Sequence, residues 1–250
     1  MIKPPEKQNK WETLSSLHKQ HEQKEKESGQ KATLTRIYPS QPFRVYEMPF
    51  VLTAQQCVSL CQDAMPRLTP SKVYFPTSTM DGDADDVRTS MSCTLITPVT
   101  KEIMKMASTV TGAPMTNIEF VQVIRYKEGE NFNYHYDTDP KNQTLPTWSR
   151  VATFMIYLND GFIGGETEFP KIDTIITPIT GKAVLFWSVI QGEIIPESLH
   201  RGRYIISGTK WIANTWIHSQ SPSILIGDQL RSMDSLKTSD IQTLSLNHSD

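Results

Sequence analysis

Val151-Ala-Thr-Phe-Met-Ile-Tyr-Leu158 is a run of aliphatic, aromatic and β-branched side chains that contains no charge. That composition suits a pleated strand better than a helix. Similar runs occur at 118–126, 132–136, 166–169, 182–187 and 211–217, separated by turns rich in Gly, Asn, Asp and Pro. Many short strands at such spacing point to an all-β sandwich or jelly roll.

The extended pattern begins only after Gly112; ahead of it the period is helical. Residues 43–51 read as a first strand. Thr53 and Gln56 then make a capping box opening a helix on which Ala54, Cys57, Val58, Cys61, Ala64 and Met65 recur at helical spacing. Both cysteines are expected to face the core. A second helix is expected over 98–111: Thr97 caps it, Pro98 takes the first position, Val99, Ile103, Met106, Ala107 and Val110 line one face, and Gly112 ends it. The expected class is therefore mainly β (α+β), with N-terminal helices covering one face of a sheet.

The chain has 250 residues and is 38% hydrophobic. The apolar deficit lies at the ends. A polar extension over 1–39, a folded domain over 40–218 and a polar tail over 219–250 are expected, and residues 11–26 could form a charged helix or stay unfolded. A net charge of -2 and a pI near 6.3 give no case for a wide nucleic-acid-binding face. The N-terminus lacks an apolar leader, no stretch is long enough for a membrane span, and Leu246-Asn-His-Ser-Asp250 is not a lumenal retention ending. A soluble, cytoplasmic protein is expected. Cys57, Cys61 and Cys93 make neither a disulfide framework nor a Cys-x-x-Cys metal signature. Asp81, Gly82, Asp83, Asp85 and Asp86 resemble a calcium loop, but Ser92 stands where its closing Glu should be. A mobile surface loop, acting as a lid, is expected there instead.

Of six histidines, His18, His21 and His248 fall in the polar ends, and His218 is expected on the surface just beyond the last strand. His135 and Asp137 lie two apart in a predicted strand, so alternation turns both to one face. One distant histidine, for which His200 is the candidate, would complete a two-His-one-carboxylate facial triad, the set that holds Fe(II) and leaves positions open. By itself His-x-Asp is weak evidence, since both residues could be ordinary polar groups. Lys210, ten residues after His200, strengthens it, because a cation starting a mostly buried strand needs an anionic partner, here a ligand carboxylate.

Several motifs then occur in order: Arg125-Tyr126, Gly129, His135-x-Asp137, Arg150 through Tyr157-Leu158-Asn159, Gly164-Gly165-Glu166-Thr167, Gly181 through Leu185-Phe186, Ser198-Leu199-His200 and Gly208-x-Lys210-Trp211. Over 40–218 this sequence resembles the catalytic domain of prolyl 4-hydroxylases. The resemblance implies a double-stranded β-helix with Fe(II) held by His135, Asp137 and His200. It also implies 2-oxoglutarate anchored by Lys210 with the hydroxyls of Tyr126 and Thr167, O2 as the second cosubstrate, and ascorbate as a reductant for the iron. The implied reaction is 4-hydroxylation of a peptidyl proline, coupled to decarboxylation of 2-oxoglutarate to succinate and CO2. Arg88 and Arg150 would hold the peptide, with surface ion pairs as the alternative. Trp216 would lie near the cofactor or serve the core, while Tyr134 and Tyr136 would line the peptide groove or pack the barrel. The run 139–148 would form a loop beside the iron. In one departure, Arg201-Gly-Arg-Tyr-Ile-Ile206 replaces the small-residue and Pro-Val sequence common after the second His. Hydroxylation of another residue or of a free amino acid, and a catalytically silent peptide-binding module, are the competing readings. Nucleic-acid demethylation fits less well, because that branch typically anchors 2-oxoglutarate through Arg where this chain has Lys210.

Overall fold

The computed structural model describes residues 35–36, 45–72, 88–138, 149–190 and 193–219. The expectations for residues 11–26, for the lid up to residue 87, for the loop 139–148 and for the tail beyond residue 219 lie outside them. In chain order, strands β1 (Thr35–Arg36) and β2 (Val45–Met48) precede helix α1 (Ala54–Ala64). Strands β3 (Thr69–Pro70) and β4 (Met91–Thr94) precede helix α2 (Pro98–Thr111). There follow β5 (Gln122–Lys127), β6 (Phe132–His135), β7 (Arg150–Tyr157), β8 (Ile163–Gly164), β9 (Thr167–Phe169) and β10 (Thr174–Ile176). The last are β11 (Ala183–Trp187), β12 (Val189–Ile190), β13 (Glu193–Ile194), β14 (His200–Gly202), β15 (Ile205–Ser207) and β16 (Thr209–His218).

Both helices form where local chemistry sets them. At α1, Thr53 and Gln56 exchange capping hydrogen bonds; at α2, Thr97 and Thr100 do the same, Pro98 opens the first turn and Gly112 closes the helix at φ 71°. Reciprocal caps satisfy backbone N–H groups that the helix leaves without a carbonyl, each worth about 1 kcal/mol. Cys57 is buried and Cys61 half-buried against the core, but Val58 and Met65, placed with them on the apolar stripe, face solvent.

An eight-stranded antiparallel sheet runs β1-β2-β11-β7-β16-β5-β4-β3, and a four-stranded sheet runs β10-β9-β14-β6. This is the antiparallel jelly-roll arrangement expected. In the large sheet's central strands both faces are buried. Ala152, Phe154, Ile156, Ala183, Leu185, Trp211, Ala213 and Ile217 belong to one core with residues of α1 and α2; Met155, Tyr157, Val184, Phe186 and Ile212 belong to a second core with Phe169 and Ile176 of the small sheet. Side chains alternate across a strand, so every residue of such a strand meets apolar neighbours. That is why residues 151–158 read as one unbroken apolar run. Among the described residues no helix is long and apolar enough to cross a membrane.

Candidate active site

β6 and β14 are antiparallel neighbours, with His135 directly opposite His200. Two steps along β14 span three along β6, so the ladder carries a bulge that brings Phe132 and His135 together although they are three apart. Their rings stack at 3.5 Å between centroids. β6 stops at His135, one residue short of the expected strand, and Asp137 enters from the bend that follows. Ligand atoms from His135, Asp137 and His200 lie within 4.8 Å of one another, all three residues buried. His135 Nε2 is 3.6 Å from Asp137 Oδ1, and His200 Nε2 is 3.8 Å from Oδ2.

Each imidazole is oriented from behind. His135 Nδ1 donates to the Asn133 carbonyl at 2.7 Å and His200 Nδ1 to the Ser198 carbonyl at 2.9 Å, which leaves both Nε2 lone pairs facing the centre. Such outer hydrogen bonds fix the tautomer that a metal takes. Thr153 Oγ1 donates to Asp137 Oδ2 at 2.5 Å. Burial, reinforced by the facing His200, pushes His135 down to a pKa of about 3, so its ring is neutral. Burial alone would raise the Asp137 carboxyl, but His200, His135 and the Thr153 hydroxyl together hold it below the ordinary carboxylate value. Two imidazole nitrogens and one carboxylate aimed at one point, each supported from behind, fit a divalent iron.

A chamber beyond this cluster is lined by Tyr126, Met155, Thr167, Lys210, Ile212 and Asn214 along with the two histidines. Lys210 is only 3% exposed. Its Nζ donates to the Gly165 carbonyl at 2.6 Å and lies 5.4 and 5.5 Å from the Tyr126 and Tyr157 rings, but no carboxylate forms an ion pair with it among the described residues. Burial pushes its pKa down to about 7 against the pull of Glu166. Gly165 is needed here: at φ 69° a Cβ would lie 2.4 Å from Ile205 Cδ1 and 3.2 Å from Lys210 Cδ. Thr167 Oγ1 is 2.7 Å from the Tyr157 hydroxyl. Burial raises the hydroxyl pKa of both Tyr126 and Tyr157, so both stay protonated and can donate. A desolvated cation ringed by neutral donors fits the far carboxylate of a dianionic ligand. Tyr157 has no counterpart in the sequence-based site; its membership depends on contacts with Thr167 and Lys210 that its own strand does not reveal.

A groove opens outward from the cluster, lined by Arg88, Phe120, Phe132, Tyr136, Arg150 and Trp216, among others. Arg88 donates to Ser90 Oγ at 2.9 Å and lies 5.0 Å over the Phe132 ring. Arg150 grips Glu119 with two hydrogen bonds of 2.6 and 2.9 Å and lies 3.9 Å over the Trp216 ring. His218, expected on the surface, is 6% exposed and meets the same Glu119 at 2.6 Å. It is held inside by a partner 99 residues away, which its position at the end of a strand does not disclose. Neither Glu119 nor His218 was a sequence-based candidate. Tyr134 faces away from His135: its hydroxyl donates to Glu168 at 3.0 Å, Arg201 lies 4.5 Å over its ring, and it is not among the residues lining chamber or groove.

Residues 121–218 match the model of the 2OG-Fe(II) oxygenase superfamily. The chain is 33% identical over 200 residues to Prolyl 4-hydroxylase 1 of Arabidopsis thaliana, covering 72% of this chain and 70% of that one. The chain belongs to the prolyl 4-hydroxylase family. It is 31% identical to a putative prolyl 4-hydroxylase of Acanthamoeba polyphaga mimivirus, over 70% of this chain and 76% of the relative. Among solved structures, the viral collagen prolyl hydroxylase of Paramecium bursaria Chlorella virus-1 in its 2OG complex superimposes with a TM-score of 0.58. That pair is 29% identical, with 70% of this chain and 95% of the other covered. As a member of the family the protein is a 2-oxoglutarate-dependent dioxygenase that uses Fe(II), 2-oxoglutarate and O2.

Proposed function

We propose that this prolyl 4-hydroxylase family member hydroxylates C4 of a proline within a peptide or protein. The observation that carries the reading is an open groove, walled by Arg88, Phe132, Tyr136 and Trp216, that leads to the buried His135, Asp137 and His200, in a chain whose relatives bear prolyl 4-hydroxylase names. Residues 40–218 form the catalytic domain in this reading, with 1–39 and 219–250 lying outside it. The three buried ligands hold Fe(II), and Lys210 takes the C5 carboxylate of 2-oxoglutarate, with Tyr126 and Thr167 donating beside it. When bound, the iron couples oxidative decarboxylation of 2-oxoglutarate to insertion of one oxygen into a C–H bond.

The protein's own groups supply the rest. The aromatic rings of Phe132, Phe169 and Phe186 packed around the histidines exclude water from the ligand set. Arg150, fixed by Glu119 and lying on Trp216, and Arg88 offer donors to peptide carbonyls along the groove. Tyr134 is better read as a brace between the small sheet's strands than as a peptide contact. An intact ligand set with a buried lysine that has no carboxylate partner among the described residues favours an enzyme over a silent binding module.

The test is 2-oxoglutarate turnover to succinate with Fe(II), with and without proline-containing peptides, and mass spectrometry of the peptide. Peptide-stimulated turnover with one oxygen added on proline, abolished by His135→Ala, is the expected result. Turnover that leaves every proline unmodified would send the substrate assignment to another residue.

A further inference from the structure

The interior face of β16 carries Lys210, Ile212, Asn214 and Trp216 in succession, and all four line the chamber. The ladder fixes their levels. Lys210 stands opposite Tyr126 on β5, Ile212 opposite Tyr157 on β7, Asn214 opposite Met155, and Trp216 opposite Thr153, whose hydroxyl holds Asp137. Asn214 thus lies between the level of the carboxylate anchor and the level of the metal ligands. It is the one polar side chain on this face between Lys210 and Trp216.

Two atoms on this face are buried without a hydrogen-bond partner among the described residues: Asn214 Oδ1 and Trp216 Nε1. An unpaired polar atom in such a place costs stability that an apolar side chain would not. At position 214 the ladder neighbours are Met155 on β7 and Gln122 on β5, and neither supplies a donor to Oδ1. Positions that break a local rule in this way are where a ligand completes the bonding.

We propose that Asn214 is a binding residue for 2-oxoglutarate, its amide hydrogen-bonding the oxo-acid end of the molecule alongside the Trp216 indole N–H. The assignment rests on 2-oxoglutarate lying in the chamber with its far carboxylate on Lys210. The co-substrate is an acceptor-only dianion, so each neighbour must bring a donor. Trp216 has a single N–H and no acceptor; a half-turn about the last torsion of Asn214 brings its NH2 into the space that Oδ1 occupies. Lys210 then neutralises one end, and the amide and indole orient the other.

The experiment uses the full chain loaded with Fe(II) under anaerobic conditions and titrated with 2-oxoglutarate by calorimetry. Wild type is compared with Asn214→Leu, Asn214→Asp and Lys210→Met, and the unfolding midpoint of each ligand-free protein is recorded. The expected result is a Kd at least tenfold weaker for Asn214→Leu and weaker again for Asn214→Asp, where a second carboxylate repels the first. The midpoint of Asn214→Leu should be unchanged or raised. Binding within twofold of wild type in both Asn214 variants, while Lys210→Met is weak, overturns the role of Asn214 and leaves the chamber reading in place. Weak binding matched by a lowered midpoint in Asn214→Leu also overturns it, by making the amide structural. No binding to wild type removes the chamber reading and this assignment with it.

Discussion

With Lys210 as the proposed anchor of 2-oxoglutarate, binding of the co-substrate is expected to depend on pH in a direction and size set by the lysine's burial. Burial holds its pKa at about 7 in the empty chamber, against an ordinary value of 10.5. A ligand carboxylate stabilises the ammonium, so the bound pKa is higher than the free one. At pH 8 roughly nine in ten empty chambers hold a neutral lysine, and binding must take up about 0.9 proton. Below pH 7 the affinity is flat; above it the Kd weakens toward tenfold per pH unit, about 1.4 kcal/mol each. Metal loaded beforehand keeps the histidines and Asp137 out of the titration. Calorimetry in two buffers of different ionisation enthalpy reads the proton uptake directly. The ligand-free protein gives an independent check through its stability. There the depressed pKa favours the neutral form, a contribution fully present above pH 10.5 and lost as pH falls through about 7, so wild type should gain on Lys210→Met across that window by about 1.4 kcal/mol per unit. A Kd constant from pH 6 to 9 with no proton uptake at pH 8 would refute the reasoning.

Thr153→Val removes the hydroxyl that orients Asp137 and should weaken Fe(II) binding by roughly 10- to 100-fold, read by competition with a chelator, while the fold is retained. Glu119→Gln releases Arg150 from its bidentate partner and should raise the peptide KM several-fold; unchanged peptide kinetics would mean that Arg150 stays in place without it. Phe154→Ala empties a site in the core beneath the helices and should cost about 3–5 kcal/mol in urea unfolding without altering the metal ligands.

Much of this could be read from the chain because its signals are local. A capping box at Thr53 and Gln56, and Pro98 with Gly112 around the second helix, act within a few residues and place both helices. The long strands β7 and β16 declare themselves by composition, although burial on both faces hides their alternation. The two- and three-residue strands β8, β10, β12 and β15 carry no period of their own; they exist because a partner lies beside them. His135 and Asp137 do reach one point, but through a bend after the strand and not by the plain alternation expected. The bulge in β6 explains Phe132 on the His135 ring, and no residue in the sequence marks it. Glu119, Tyr157 and His218 were missed for one reason: their partners stand 31, 10 and 99 residues away, at separations only the folded ladder brings to contact.

The levels along β16 have a consequence for which acids the chamber accepts. β16 is laddered to β5 over residues 209–214 and to β7 over residues 212–218, so the rise from the level of Lys210 to the level of Trp216 is set by the pleat. With 2-oxoglutarate placed as proposed, the strand is a caliper set to one length of dicarboxylate. An oxo diacid one carbon shorter that reaches the lysine leaves its oxo-acid end short of the ligands, and one carbon longer must buckle against Ile212 and Met155. Selection among acids of identical functional groups is then a matter of length, and widening it would require moving a cation along the strand, by two residues at a time, because a single step would turn the side chain out toward the helices.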